Sequence, residues 1–360
     1  MRLLYVIEHI STAGGLERIL IDKMNALACE QGYDVNLLTV WQEDAPPAFP
    51  LHKNIKHTCL GITQPKSTLQ MLYAMPRVVY AFNKVVRHLS PDITIHFRAI
   101  GAMLIAFSSW RGYSVFEAHT ARPHSNHRWL YPIMERKADT IVCLTKADAQ
   151  NYPHVKRIEV IPNFTTISNL QQPNYSRQTC IFLGRLCPEK NPLRLLRLWH
   201  KINELHPEWQ LHIYGTGPME DEVKNEIIRL KLAKSVKMLG HNSDIKQAYL
   251  SGSILLLTSN TEGLPMVLIE AQEFGLPVVC FDCPYGPSDI IQNGKNGYLI
   301  PLSDDETFIS AVDKLINSSA LREQMGDNAK QQSSQYNKVA IIQRWKHFFS
   351  SNEDTTRRRI

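Results

Sequence analysis

Apolar residues in the first half of the chain come in short blocks: RLLYVI at 2–7, DVNLLTV at 34–40, DITIHF at 92–97, YSVFEA at 113–118 and TIVCLT at 140–145. Such runs suit strands buried on both faces, and the stretches between most of them have helical length and period. The pattern then pauses. Residues 161–178, IPNFTTISNLQQPNYSRQ, are rich in Asn, Ser, Gln and Pro and lack a period, which reads as a linker. It resumes with TCIFLG at 179–184, WQLHIYG at 209–215, VKMLG at 236–240, ILLLTS at 254–259 and PVVCF at 277–281. Strand, crossover helix and parallel strand, repeated in two series, predict an α/β chain of two tandem doubly wound domains. Such sheets take ligands at the carboxyl ends of their strands, so the site is expected in a cleft that both domains face.

The predicted boundaries are a first domain over 1–165, a linker over 166–178 and a second domain over 179–335. With 360 residues and 44% hydrophobic content, each half has enough chain for its own core. MRLLYVIEHI has too short an apolar run before Glu8 for a secretory signal, and no window reaches the roughly 18 apolar residues of a spanning helix. A cytoplasmic protein is expected. Seven cysteines form an odd set, mostly inside apolar runs, as reduced thiols used for packing would be. Cys280 and Cys283 have no second pair at zinc spacing, so no metal is expected there.

Charge changes the picture by its distribution. The formal net charge is +6, with +5 over residues 1–170, −2 over 171–340 and +3 over the last twenty. A basic first half suits an anionic membrane surface or a phosphate-bearing acceptor, although an ordinary solvated surface explains it equally well. TTRRRI at 355–360 reads as part of a disordered tail over 351–360.

Each series opens with a strand that runs into a glycine turn. Gly14 and Gly15 precede a helix whose apolar positions are Leu16, Ile19, Leu20, Met24 and Leu27. Helix N-termini offer free amides and partial positive charge, so a phosphate could approach there, and glycine pairs also cap helices for structural reasons alone. In FLGRLCPEKNPLRLL, Gly184 and Arg185 follow a strand, Lys190 lies five residues on, and Asn191 with Pro192 starts a helix. Two cations at a strand end make a clamp for a diphosphate or, equally, a pair of exposed charges. The Gly-x-Gly of HIYGTGPMEDE lacks the third glycine of the dinucleotide fingerprint and marks a tight turn.

TEGLPMVLIEA at 261–271 carries two acids in an apolar segment. Pro265 suits a first helical turn, which predicts a helix over about 265–275 with a buried stripe of Val267, Leu268, Ala271, Phe274 and Gly275. Glu262 then stands in the turn with Gly263, and Glu270 on the flank of the stripe beside Phe274. Packing needs neither carboxylate, and both are suited to accept from hydroxyls. Amides of 264–266, from Leu264, Pro265 and Met266, are expected to face an anion.

With GGLER, GRLCPEKN, YGTGP, TEGLPMVLIEAQEFGLPVV with its Glu-x7-Glu, GPSDII and NGKNGYLIP in this order, the chain resembles a retaining glycosyltransferase of family 4 over nearly its whole length. The resemblance implies the GT-B fold, two Rossmann-like domains, with a final helix over 336–350 returning to the first domain on Trp345 and Phe348. It implies transfer of a hexose from a nucleotide-diphosphate sugar, with uridine favoured, to a glycan or lipid-linked acceptor of a cell-surface polysaccharide. Arg185 and Lys190 would hold the diphosphate, Glu262 the sugar hydroxyls, Glu270 the ribose diol, and His119, in FEAHT, would lie near the donor sugar. Gly14, Gly15, Gly184, Gly263, Leu264, Pro265 and Met266 would line the donor site.

The chemistry is mainly electrostatic, because positive charge grows on the sugar and negative charge on the leaving diphosphate. The sequence has no Asp-x-Asp pair to anchor a metal, so metal-independent activity without a cofactor is expected. No nucleic-acid partner is expected. STLQMLYAMPRVVYAFNKVVRHL at 67–89, with Arg77, Lys84, Arg87 and His88, is where the basic first domain would touch the inner face of a membrane, and an amphipathic helix facing the core explains it as well. A sugar-nucleotide epimerase of the same fold and an NAD-dependent dehydrogenase remain as alternatives; the incomplete glycine fingerprint counts against the second.

Overall fold

A computed structural model describes residues 1–12, 14–30, 32–41, 45–125, 128–167, 171, 173–241 and 244–353 of the chain. Parts of the expected linker, 168–170 and 172, and of the expected tail, 354–360, lie outside the described residues. Contacts divide the chain into two units, Met1–Asn163 with Ile341–Ile360, and Phe164–Ala340.

The first unit carries β1 (Arg2–Ile7), α1 (Gly15–Glu30), β2 (Asp34–Trp41), β3 (Lys56–Ile62), α2 (Thr68–Leu89), β4 (Ile93–Phe97), α3 (Arg98–Phe107), β5 (Tyr113–Ala118), α4 (Tyr131–Lys137), β6 (Thr140–Cys143), α5 (Lys146–Ala149) and β7 (Ile158–Val160). Its strands form one parallel sheet in the order β3-β2-β1-β4-β5-β6-β7. The order reverses between β1 and β4, the switch point of a doubly wound sheet.

The second unit repeats the plan with β8 (Thr179–Leu183), α6 (Pro192–Leu205), β9 (Gln210–Tyr214), α7 (Glu220–Arg229), β10 (Val236–Gly240), α8 (Ile245–Leu250), β11 (Ile254–Leu257), α9 (Met266–Glu273), β12 (Val278–Asp282), α10 (Pro287–Ile290), β13 (Gly297–Pro301), α11 (Asp305–Asn317) and α12 (Ser319–Ser333). The parallel order is β10-β9-β8-β11-β12-β13, and its switch point lies between β8 and β11. The sequence blocks fall on β1, β2, β4, β5, β6, β8, β9, β10, β11 and β12; β3, β7 and β13 were not predicted as strands.

Each unit buries its own core. In the first, Leu4, Val6 and Leu38 meet the inner face of α2 through Val78, Phe82 and Val86. In the second, Phe182, Leu211 and Ile213 pack with Leu195, Trp199 and Phe308. Full burial of such a side chain contributes about 1.5–3 kcal/mol. α2 is also apolar outside, where Leu69, Leu72, Tyr73 and Tyr80 are 63–75% exposed. Among the described residues no helix is long and apolar enough to cross a membrane.

α13 (Lys338–Ser351) belongs from Ile341 onward to the first unit. Trp345, Phe348 and Phe349 are buried, Phe349 meets Tyr33 edge-on at 5.6 Å, and the Trp345 ring covers Lys23 Nζ at 4.1 Å from its centroid. The ordered chain passes the boundary at 351, because Asn352 is buried and its Oδ1 accepts from Tyr113 Oη at 2.7 Å and Arg157 Nη1 at 2.9 Å.

On β4, His96 is 1% exposed, and among the described residues neither ring nitrogen has a hydrogen-bond partner. Burial pulls its pKa down to about 3, so the ring is held neutral.

Candidate active site

At the second switch point β8 and β11 lie side by side, and the turns that follow them are laced together. Thr258 Oγ1 donates to the carbonyls of Lys190 and Asn191, both at 3.2 Å, and Asn260 N donates to Glu189 O at 2.8 Å. Asn191, at φ 49°, caps α6 by accepting from Arg194 N, with Pro192 opening the helix as its sequence predicts. This lacing sets Lys190 Nζ 2.6 and 2.7 Å from the two oxygens of Glu262. Ser259 Oγ donates to Glu262 Oε1 at 2.6 Å, and Glu262 is nearly covered, with its side chain 7% exposed against 22% for Lys190. The two residues assigned separately to a diphosphate and to sugar hydroxyls are therefore one ion pair. An ammonium carries three donors, so Lys190 retains capacity toward a further acceptor.

α9 begins one residue later and ends earlier than predicted, at Met266 and Glu273, and its buried residues are Leu268, Ile269, Ala271 and Gln272. Ile269 and Gln272 replace Val267 in the expected stripe, because Val267 is only half-buried. Pro265 has no N–H, so the run of three amides expected over 264–266 is interrupted; Met266 and Val267 supply first-turn donors that lack intrahelical partners. The turn before α9 is pressed against the one after β12. Gly286 sits at φ +105°, and a Cβ there would lie 2.3 Å from Pro265 Cδ, while Glu262 N donates to Pro284 O at 3.3 Å.

Further along α9, Tyr249 Oη donates to Glu270 Oε2 at 2.5 Å, and the Tyr249 ring stacks on Phe274 at 4.8 Å between centroids. Burial, followed by the Glu270 charge, pushes the Tyr249 hydroxyl well above its ordinary pKa, which keeps it a donor. The flank position beside Phe274 is thus where the sequence predicts Glu270, with a buried phenol fixing one oxygen.

Gly184 and Arg185 rest on the turn after β9. Gly184 N donates to Tyr214 O and Leu186 N to Thr216 O, both at 3.0 Å. A Cβ at Gly215, φ +139°, would lie 1.9 Å from Gly184 O, and one at Gly217 2.3 Å from Leu186 O. The Gly-x-Gly of 215–217 thus supports the loop that carries Arg185. Arg185 itself is exposed. The Glu189 carboxyl is held below its usual range, first by the Cys187 thiol and a backbone amide, then by the charges of Arg185 and Lys190.

In the first unit His119 follows β5 and its Nε2 lies 2.9 Å from Glu117 Oε1. The other Glu117 oxygen meets Lys23 Nζ, and both side chains are 2% exposed. Burial pushes the Glu117 carboxyl up, but Lys23 and His119 outweigh it and hold it below the usual range; burial lowers Lys23. A cavity of about 290 Å³ opens here, with Arg98, His119, Thr120, His124, Ser125 and Tyr131 in its wall. Gly14 and Gly15 lie in this unit at the start of α1, and the space a Cβ would take at Gly14 is filled by Glu17, whose Oε2 would be 2.1 Å away. Glu17 Oε1 also accepts from Arg98 Nη2 at 2.6 Å. The start of α1 already faces an anion of the chain's own.

The fold thus brings Gly184, Lys190, Glu262 and the start of α9 to one strand edge, with Gly14, Gly15 and His119 on the other sheet. The supporting residues Lys23, Glu117, Tyr249 and Ser259 were missed. Lys23 was detectable, because it lies on the Ile19, Leu20, Met24, Leu27 stripe where a charge needs a buried partner. Among the described residues no group of three His, Cys, Asp or Glu is placed to hold a metal ion.

Comparison with known proteins matches residues 13–168 to the family described as Glycosyltransferase Family 4 and residues 164–332 to Glycosyl transferases group 1. An uncharacterized glycosyltransferase of Haemophilus influenzae is 28% identical over 95% of this chain and 98% of its own length. The amylovoran biosynthesis glycosyltransferase AmsD of Erwinia amylovora is 28% identical over 96% of this chain and 98% of its own. Among solved structures, the pneumococcal O-GlcNAc transferase GtfA, in complex with UDP and GlcNAc, shares the fold at a TM-score of 0.77 and 15% identity, covering 98% of this chain and 99% of its own. The two family matches adjoin across the two sheets, and the chain belongs to the family 4 glycosyltransferases of GT-B fold.

Proposed function

We propose that this glycosyltransferase moves a hexose-type sugar, with retention at the anomeric carbon, from a uridine-diphosphate sugar to a glycan or lipid-linked acceptor in cell-surface polysaccharide synthesis. The observation that carries the reading is the Lys190–Glu262 pair at the β8–β11 switch point, beside the uncapped start of α9. Arg185, Lys190 and the amides of Met266 and Val267 receive the diphosphate, and Glu262 accepts from sugar hydroxyls. Glu270, held by Tyr249, accepts from the ribose diol. His119, its imidazole oriented by Glu117, serves the donor sugar.

In the transfer, the bond from the anomeric carbon to the diphosphate oxygen breaks and the acceptor oxygen bonds the same face of that carbon. The acceptor proton passes to a diphosphate oxygen, so neither a protein nucleophile nor a metal is needed. Stabilising the departing charge with fixed donors contributes about 3–4 kcal/mol per donor. Support for uridine comes from the ligand of the pneumococcal structure, and for a polysaccharide product from the amylovoran relative. The outer face of α2, apolar at Leu69, Leu72, Tyr73 and Tyr80 and basic at Lys84 and Arg87, supports a peripheral contact with anionic membrane.

A panel of nucleotide sugars tests the reading by protection against thermal unfolding, followed by transfer assays with and without acceptor in EDTA. Protection by uridine diphosphate sugars and acceptor-dependent, EDTA-resistant transfer are expected. Conversion of the donor without acceptor identifies an epimerase instead.

A further inference from the structure

At the other edge of the first sheet, where β5 and β6 begin, a second cavity of about 280 Å³ has Trp110, Arg111, Arg136, Lys137, Asp139 and Lys156 in its wall. β5 runs from Tyr113 at this edge to Ala118, and His119 follows at the opposite edge. At about 3.3 Å per residue the strand separates the two by roughly 20 Å, so no group in this cavity reaches His119.

Four cations here face one lining carboxylate. Asp139 accepts from Ser114 N at 3.0 Å and lies 3.6 Å from Lys156 Nζ. Lys137 Nζ donates to the carbonyl of Ala106, and Arg136 Nη1 to that of Pro132 at 3.3 Å; neither partner carries a charge. The wall therefore keeps three positive charges in excess, and like charges around a concave surface concentrate anions there. The Trp110 ring adds an apolar wall to the same hollow. Two guanidinium forks with two ammonium groups form a donor set suited to tetrahedral phosphate oxygens.

We propose that this cavity binds a phosphate group, carried either by free phosphate or diphosphate or by an anionic lipid headgroup, at a site separate from the cavity beside His119. Phe107, 49% exposed, follows the Ala106 whose carbonyl holds Lys137, and Ile133, 37% exposed, lies one turn before Lys137 on α4. Apolar side chains beside a basic hollow are the arrangement by which a headgroup and its acyl chains are met together.

The test uses the full chain with Arg185→Ala and Lys190→Ala, which removes the cations of the donor edge. Inorganic phosphate and pyrophosphate should raise its Tm by about 2–4 °C at saturation. Adding Arg111→Gln and Arg136→Gln, both at exposed positions, should abolish that rise while leaving the ligand-free Tm unchanged. An equal rise with and without those two arginines overturns the site. In a second arm, the unmodified chain and the Arg111→Gln, Arg136→Gln variant are sedimented with vesicles of phosphatidylcholine alone or with one-third phosphatidylglycerol. A severalfold loss of binding to the anionic vesicles in the variant assigns the phosphate to lipid. Arginine-dependent phosphate binding without such a loss assigns it to a soluble source, and no arginine dependence in either arm refutes the proposal.

Discussion

Lys190 and Glu262, 72 positions apart in sequence, form a bidentate ion pair at 2.6 and 2.7 Å where β8 and β11 adjoin. Removing one partner of a covered pair leaves the other charge unbalanced. Lys190→Ala is expected to lower kcat by about 10²–10³, the effect of losing a donor aimed at a developing anion. In a double-mutant cycle with Glu262→Gln the two losses should couple by more than about 1 kcal/mol. Strictly additive losses would show that the residues act independently and defeat the shared role.

Glu270 is fixed by Tyr249, which orients its carboxylate. Glu270→Ala is expected to weaken binding of the nucleotide diphosphate by about tenfold, the effect of one charged hydrogen bond, with little change in kcat. Tyr249→Phe, which loosens the carboxylate without removing it, should weaken binding by a smaller factor in calorimetric titration. Unchanged affinity in the Glu270 variant takes that residue out of the nucleotide site.

Lys23 is buried against Glu117 under Trp345. Lys23→Met leaves the Glu117 carboxylate without its neutralising partner, and a stability loss of about 3–5 kcal/mol is expected in urea unfolding. Adding Glu117→Gln should recover part of it. Failure of the double variant to exceed the single one would mean that packing of the lysine stem, and not charge, sets the loss.

His96 supplies a pH dependence. Its folded pKa, about 3, lies below the ordinary 6.5, so between those values the unfolded chain binds a proton that the folded chain refuses. Stability from this residue therefore falls as pH drops through that window, by about 1.4 kcal/mol per unit. His96→Leu should gain about 2 kcal/mol relative to the unmodified chain between pH 8 and pH 5. A stability difference that stays constant between the two pH values excludes the linkage.

The interior strands were legible because a strand covered on both faces must be apolar throughout, and RLLYVI and YSVFEA fall on β1 and β5 without a residue's error. β3, β7 and β13 were not, and each lies at the edge of its sheet. KHTCLGI of β3 is mostly exposed, so no continuous hydrophobic run marks it. Within the site, motifs placed Lys190, Glu262 and Glu270 at a strand edge, but not their partners. The Lys190–Glu262 contact depends on the register of neighbouring strands, which local periodicity does not encode. Lys23 stands out on the apolar stripe of α1, but its partner Glu117 and the tryptophan of α13 over it come from tertiary packing, which local pattern does not encode.

That last helix carries a consequence for biosynthesis. The segment completing the first unit, from Ile341, is separated from the rest of it by the whole of 164–340. On the ribosome, the amino-terminal sheet must wait, with its buried ammonium uncovered, until the segment from Ile341 that carries Trp345 emerges. The later-made unit has all its strands in hand before then, so the half synthesised first is the one finished last.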